Sequence, residues 1–274
     1  MRNLEEFLRA ISDPTRPPIA ARTKVVFAHP DDETLACGAL LPRLQDVTVV
    51  HVTDGAPRSG EDARRFGFSG VSEYGAARAA ELRAAMRIAG VGEDRLLSLD
   101  VPDQGTPFAL ADVARRLRPL LDEAEMVITH SYEGGHPDHE AVCWAVHAAC
   151  RLLAREGSPP PAIIDVPLYR LGPDGGWLHQ DFGEGGPDIA VLRLTDQERD
   201  LKSRMLAAHA SQAETLGPFG VADEAYRTAP AYDFSVLPHG GALLYERENW
   251  GLTGARWLDL AADAAGELRL DEAG

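Results

Sequence analysis

Cysteine is scarce in this chain of 274 residues, which holds three: Cys37, Cys143 and Cys150. An odd number without CxxC spacing argues against a disulfide framework, and their place in apolar helical segments reads as buried, reduced thiols. Basic residues are also few. The 27 Lys and Arg stand against 43 Asp and Glu, a net charge of −16. Nucleic acid and anionic membranes demand a basic surface, so neither is expected as a partner. No apolar run approaches the roughly 18 residues that a membrane span needs. The N-terminus, MRNLEEFLRAISD, is amphipathic and acidic where a signal peptide has an unbroken apolar core, so a cytoplasmic location is expected. Low-complexity tracts are missing too, and with 45% hydrophobic residues a single compact domain is the simplest organisation.

Several catalytic signatures are absent. The first strand-to-helix turn reads AHPDDET, with no glycine before Gly38, which excludes the GxGxxG of a dinucleotide-binding domain. Neither a GxSxG elbow nor a GxxxxGK[ST] loop occurs, disfavouring a serine hydrolase and a P-loop NTPase. His139-Glu140 begins like HExxH, but Cys143 occupies the position of the second histidine.

What is present centres on Lys24 to Gly38, KVVFAHPDDETLACG. Val25, Val26 and Phe27 form a β-branched and aromatic run too short for a helix, as in a strand buried on both faces. Pro30 ends it. From Thr34 to Leu44, Leu35, Ala39, Leu40 and Leu44 recur at helical spacing, so His29-Pro30-Asp31-Asp32-Glu33 falls in a strand-to-helix turn, where open parallel sheets bind ligands. Taken alone, the acids could be an N-cap and first turn, and His29 a hydrogen-bonded loop residue. A second cluster, His136-Pro137-Asp138-His139, follows the apolar run Met126 to Thr129 and opens the helical stretch Ala141 to Leu153. His29, Asp32 and His139 together make a two-histidine, one-carboxylate set, the composition of catalytic zinc sites. Spacing alone leaves open which aspartate ligates.

Along the chain, residues 3–11 predict a short amphipathic helix and residues 13–18 a stiff connector, both expected outside the core. A strand over 47–53 ends on Asp54-Gly55. Residues 56–72, with Arg58, Arg64 and Arg65, are either a solvated loop or a substrate loop. A helix over 73–89 carries Arg78 and Glu81, spaced for an ion pair. A strand over 95–99 leads to Pro102-Asp103, followed by a helix over 108–121 and a strand over 162–168. This β-α alternation predicts a parallel sheet covered by helices on both faces. Beyond it come an irregular stretch over 172–188, a strand over 189–194, a helix over 196–216 and a strand over 242–246. His239 stands in a Pro-Gly loop, and the acidic stretch 254–274 ends in an expected frayed terminus.

AHPDDE followed by GHPDH resembles the LmbE-like, or PIG-L, family of zinc-dependent de-N-acetylases. The likeness includes Val52 to Gly55, the Arg78 to Gly90 helix, Pro102-Asp103 and, more weakly, Lys202 to Gln212; the rest of the chain is read without it. It implies an α/β, Rossmann-like parallel sheet in a single domain with an irregular C-terminal part. Residues 1–22 would be an N-terminal helix and connector, 23–250 the deacetylase domain and 251–274 an extension.

The resemblance also implies Zn²⁺, or another divalent metal, on His29, Asp32 and His139. Asp31 would be the general base, and a charged His136 would stabilise the oxyanion. Asp138 would orient one of the histidines, while Asp54, Arg78 and Asp103 would contact substrate. The reaction implied is removal of an N-acetyl or other N-acyl group from an amino sugar or glycoconjugate. An amidase of a thiol conjugate or acyl-amino natural product, using the same metal, is the alternative enzyme. A non-catalytic sugar-binding module is the alternative outside enzymes. A homo-oligomer of the chain is compatible with this reading.

Overall fold

The computed structural model describes residues 4–183 and 189–270. Strands β1 (Ile19–Phe27), β2 (Leu44–Thr53), β3 (Leu96–Val101), β4 (Met126–His130) and β5 (Ala162–Val166) are parallel, in the order β3-β2-β1-β4-β5. β6 (Tyr169–Leu171) and β7 (Trp177–His179) form a separate antiparallel hairpin. β8 (Ile189–Arg193) and β9 (Asp223–Thr228) extend the main sheet past β5 with antiparallel pairing, giving seven strands. The sheet is therefore parallel where the sequence shows β-α alternation and mixed beyond it.

The helices are α1 (Leu4–Ser12), α2 (Asp32–Cys37), α3 (Glu61–Arg65), α4 (Val71–Ala89), α5 (Leu110–Leu121) and α6 (Pro137–Arg155), then α7 (Asp196–Ala208), α8 (Ala213–Leu216), α9 (Leu244–Arg247) and α10 (Gly254–Glu267). Alternation along β1 divides the core. Val25 and Phe27 face a cluster with Leu35, Met86 and Met205, whereas Val26 and Ala28 face one with Leu117, Val142 and Trp257. Burying each such side chain stabilises the fold by roughly 1.5–3 kcal/mol before entropy is counted. No helix among the described residues is long and apolar enough to cross a membrane.

The structure departs from the sequence reading in several elements. α1 is not outside the core: Phe7 and Ile11 are buried in the first cluster. The helix expected over 34–44 ends at Cys37, and the one expected over 196–216 breaks at His209, whose backbone (φ −84°, ψ 59°) is non-helical and whose ring is buried. Residues 242–246 are not a strand; Leu244–Arg247 is a helical turn, with the Leu244 N–H donating to Gly134 O. Leu243, Leu244 and Tyr245 are all buried, and a short apolar run does not distinguish helix from strand. β9 lies outside the sequence expectations, because its buried positions include Glu224 on one face and Arg227 on the other in place of aliphatics. Within the irregular stretch, β7 falls inside 172–188, of which 184–188 lie outside the described residues. The same holds for 271–274 at the expected frayed end.

Candidate metal centre

The strand order reverses direction between β1 and β4, the crevice where doubly wound sheets bind ligands. The first motif follows β1 and the second follows β4, so adjacent strand ends bring together residues about a hundred positions apart. In the second, Pro137 occupies the first turn of α6, where its missing N–H costs nothing. His139 therefore projects from the first turn of that helix. Gly135 lets the preceding loop press against β6, since a Cβ there would lie 2.1 Å from Tyr169 O.

Three donors converge. His29 Nδ1 lies 3.3 Å from His139 Nε2 and 3.3 Å from Asp32 Oδ2, while Asp32 Oδ1 lies 3.4 Å from His139 Nε2. Tetrahedral zinc with bonds of about 2.0–2.1 Å spaces its ligands about 3.3–3.4 Å apart. Each of these three distances is near that spacing, with Asp32 turning Oδ2 to His29 and Oδ1 to His139. With one atom taken per residue, donor sets also group His29 with His136 and His139, and Asp32 with His130 and His139. His29 directs Nε2 at Asp138 Oδ2 and Asp103 Oδ1, each at 3.2 Å. A proton held there leaves the Nδ1 lone pair facing the triangle, the usual orientation of a histidine ligand. Asp138 is fixed in turn by the N–H groups of Gln104 and Thr106. Burial opposes charge on His29, but Asp103, Asp138 and Asp32 outweigh it and raise its pKa well above the usual value, so in the metal-free protein Nδ1 also carries a proton, which a metal ion would displace. Asp32 stays ionised, held well below its normal range against burial by His139, His130 and His29.

Asp31 sits beside the triangle in a backbone conformation (φ 142°, ψ −26°) that L residues rarely adopt. Arg78 braces it, donating to Asp31 Oδ2 at 2.9 Å and Pro30 O at 3.0 Å, with a further bond of 2.5 Å to Gly55 O. Gly55 leaves room for that guanidinium, which a Cβ would meet at 2.5 Å. Glu33 accepts the Asp31 N–H at 2.9 Å and is itself held by His51 at 2.8 Å. Burial, opposed by Arg78, pushes the Asp31 carboxyl up to about 6.

His136 is the N-cap of α6, and its Nδ1 accepts the Asp138 N–H at 3.1 Å. Burial, reinforced by His29 and His139, lowers its pKa well below the usual value. The ring is thus a neutral Nε2–H donor, not the charged donor expected from the sequence.

Of the expected substrate contacts, Arg78 is buried and committed to Asp31, and Asp103 packs against His29; both line the metal cleft. Asp54 lines the neighbouring cavity with His51 and pairs with Arg58. Glu81 does not pair with Arg78; it accepts from the Ser211 N–H and hydroxyl. His239 lines a different cavity, with Arg170 and Arg227. Residues 56–72 do reach the cleft, through Pro57, Asp62 and Arg65. His130 escaped the sequence reading although, like His29, it is a histidine at a strand end. It accepts the Ala28 N–H at 2.9 Å and stacks on His139 with centroids 3.9 Å apart. Burial depresses its pKa to about 3, so it packs as a neutral ring.

Residues 24–150 match the family model described as PIG-L, GlcNAc-PI de-N-acetylase. A 1D-myo-inositol 2-acetamido-2-deoxy-alpha-D-glucopyranoside deacetylase from Rhodococcus erythropolis is 30% identical over 253 residues, covering 73% of this chain and 84% of the relative. A probable N-acetyl-alpha-D-glucosaminyl L-malate deacetylase 2 from Bacillus cereus is 28% identical over 199 residues, covering 70% and 84%. The solved N,N'-diacetylchitobiose deacetylase from Pyrococcus horikoshii shares the fold at TM-score 0.57 and 19% identity, covering 84% of this chain and 94% of that one. With both motifs assembled at one switch point and a 30% identical relative matched over most of its length, the chain belongs to the PIG-L, or LmbE-like, family.

Proposed function

We propose that the protein is a zinc-dependent N-deacetylase that removes the acetyl group of an N-acetylated amino sugar conjugate. The observation that carries this reading is the triangle of His29, Asp32 and His139 with Asp31 braced beside it. The names of the relatives supply the substrate class. His29, Asp32 and His139 would hold the ion, which when bound supplies an acidified water and an electrophile for the carbonyl oxygen.

Asp31 acts on the proton. A carboxylate with a pKa near 6 accepts a proton from water and can return it to the departing amine nitrogen. Arg78 fixes the Oδ2 end of that carboxylate, leaving Oδ1 for the transfer. His136 donates Nε2–H to the developing oxyanion, a role that its capping bond to Asp138 prepares by removing the Nδ1 proton. Asp138 and Asp103 hold the ring of His29.

Acetate release from N-acetylglucosamine glycosides, measured after chelation and again after zinc is restored, tests the reaction. Release should require the metal. Asp31→Asn should keep zinc while losing about 10²–10⁴-fold in kcat, the usual contribution of a general base. Wild-type turnover in that variant would remove Asp31 from the mechanism.

A further inference from the structure

The cleft over the metal centre, about 450 Å³, has two unlike walls. One is aromatic and starts at the motif histidines: Trp250 lies 5.0 Å from His136 and Tyr169 5.1 Å from His139, centroid to centroid. Trp177 continues it outward, stacked on Tyr169 at 5.3 Å and edge-on to Trp250 at 5.6 Å, with Phe219 behind Tyr169 at 5.9 Å. Trp177 keeps 39% of its surface in water at the cleft. Its indole N–H donates to Glu248 at 3.2 Å, which fixes the ring. A large apolar ring held rigid and left partly bare beside a reaction centre is a recognition surface, because ordering it costs little further entropy when a ligand arrives.

The other wall is polar, with Asp62, Arg65, Gln212 and Glu214. It offers hydrogen-bond partners to sugar hydroxyls. Its Arg65 shares an exposed pair with Glu214 at 2.6 Å, while Arg78 is committed to Asp31 in a buried one. An amide carbonyl placed at His136 lies at the foot of the aromatic wall, which runs from there through Trp250 to Trp177.

Resting on the deacetylase reading, we propose that the sugar of the substrate carries an apolar aglycone, an aryl or alkyl group, which stacks on Trp177 and Trp250. Trp177 is then a specificity determinant: it discriminates among conjugates of the same amino sugar.

The zinc-loaded protein would be given the methyl and phenyl glycosides of N-acetylglucosamine, in both anomers, and N-octanoylglucosamine. Acid release and quenching of tryptophan fluorescence are both followed. For one anomer, kcat/KM should favour phenyl over methyl by about tenfold, mostly through KM, as expected for one aromatic contact. Trp177→Ala should bring that ratio to within about threefold of unity, whereas Trp177→Phe should keep most of it. Acetate released equally well from phenyl and methyl glycosides overturns the aglycone and leaves the deacetylase standing. A preference for the octanoyl compound without one for the phenyl glycoside also overturns it, placing an acyl chain on the wall. If no acid is released but the phenyl glycoside still binds more tightly in the wild type and not in Trp177→Ala, the wall's role is supported and the reaction is overturned.

Discussion

Asp31 concentrates two demands in one residue: its carboxylate must face the metal triangle, and its backbone must accept φ 142° to do so. Such conformations cost on the order of 1–3 kcal/mol and persist where surrounding bonds over-determine them. Here those bonds come from Arg78 and Glu33. Asp31→Gly and Asp31→Ala remove the same carboxylate, but only glycine relaxes the backbone. Urea unfolding of the two metal-free variants should therefore find Gly more stable than Ala by about 1 kcal/mol, the reverse of their usual order. Equal stabilities would show that the site stores no backbone strain. The two motifs were legible in the sequence, because histidines and aspartates clustered after two buried strands have few structural uses, while His130 at the end of β4 stands alone in its apolar run and was not. Nor were the proton states of the motifs. The neutral form of His136 follows from its capping of α6, and the commitment of Arg78 from a guanidinium reaching three acceptors in two loops, neither of which spacing reveals.

At the scale of elements, the lock that seats α2 under the site is a buried ion pair. Lys202 on α7 donates to Leu35 O at 2.7 Å and to Glu224 on β9 at 2.8 Å, and both side chains are inaccessible to water. Glu224 also accepts the Ala39 N–H and the Tyr226 hydroxyl. One charged pair thus joins three elements from distant parts of the chain. Lys202→Met strands a buried carboxylate and should destabilise by about 3–5 kcal/mol. Adding Glu224→Gln removes that charge while keeping an acceptor for Ala39, so the double variant should recover more than half of the loss in urea unfolding. No recovery would mean that lost packing, not stranded charge, sets the cost. This pair also explains why β9 was illegible: periodicity finds strands by their buried aliphatics, and here the buried positions are polar and satisfied by partners elsewhere in sequence. The parallel strands β2, β4 and β5 lie close to where their apolar runs predict them, whereas β1 starts at Ile19, well before the run Val25–Phe27, and β3 exposes Leu97, Ser98 and Asp100.

For the whole molecule, the parallel topology gathers carboxylates into one buried place: Asp32, Asp103 and Asp138 all lie within 3.3 Å of the His29 ring nitrogens. In the metal-free protein the His29 imidazolium offsets part of the repulsion among these acids, and a divalent ion on the triangle would offset more of it. A ligand that binds only the folded state stabilises it by RT ln(1 + [L]/Kd), about 2.7 kcal/mol at a hundredfold excess over Kd. For a chain of this size that corresponds to a rise in melting temperature of roughly 5–10 °C. Zinc added to chelator-treated protein should produce that rise, and renewed chelation should reverse it. Asp32→Ala and His139→Ala each remove one corner of the triangle, and in both the zinc-dependent rise should disappear. Asp54→Ala alters a carboxylate in the neighbouring cavity and should keep it. A full rise in the Asp32→Ala protein would show that the stabilising cation sits elsewhere and that the triangle is not the metal centre.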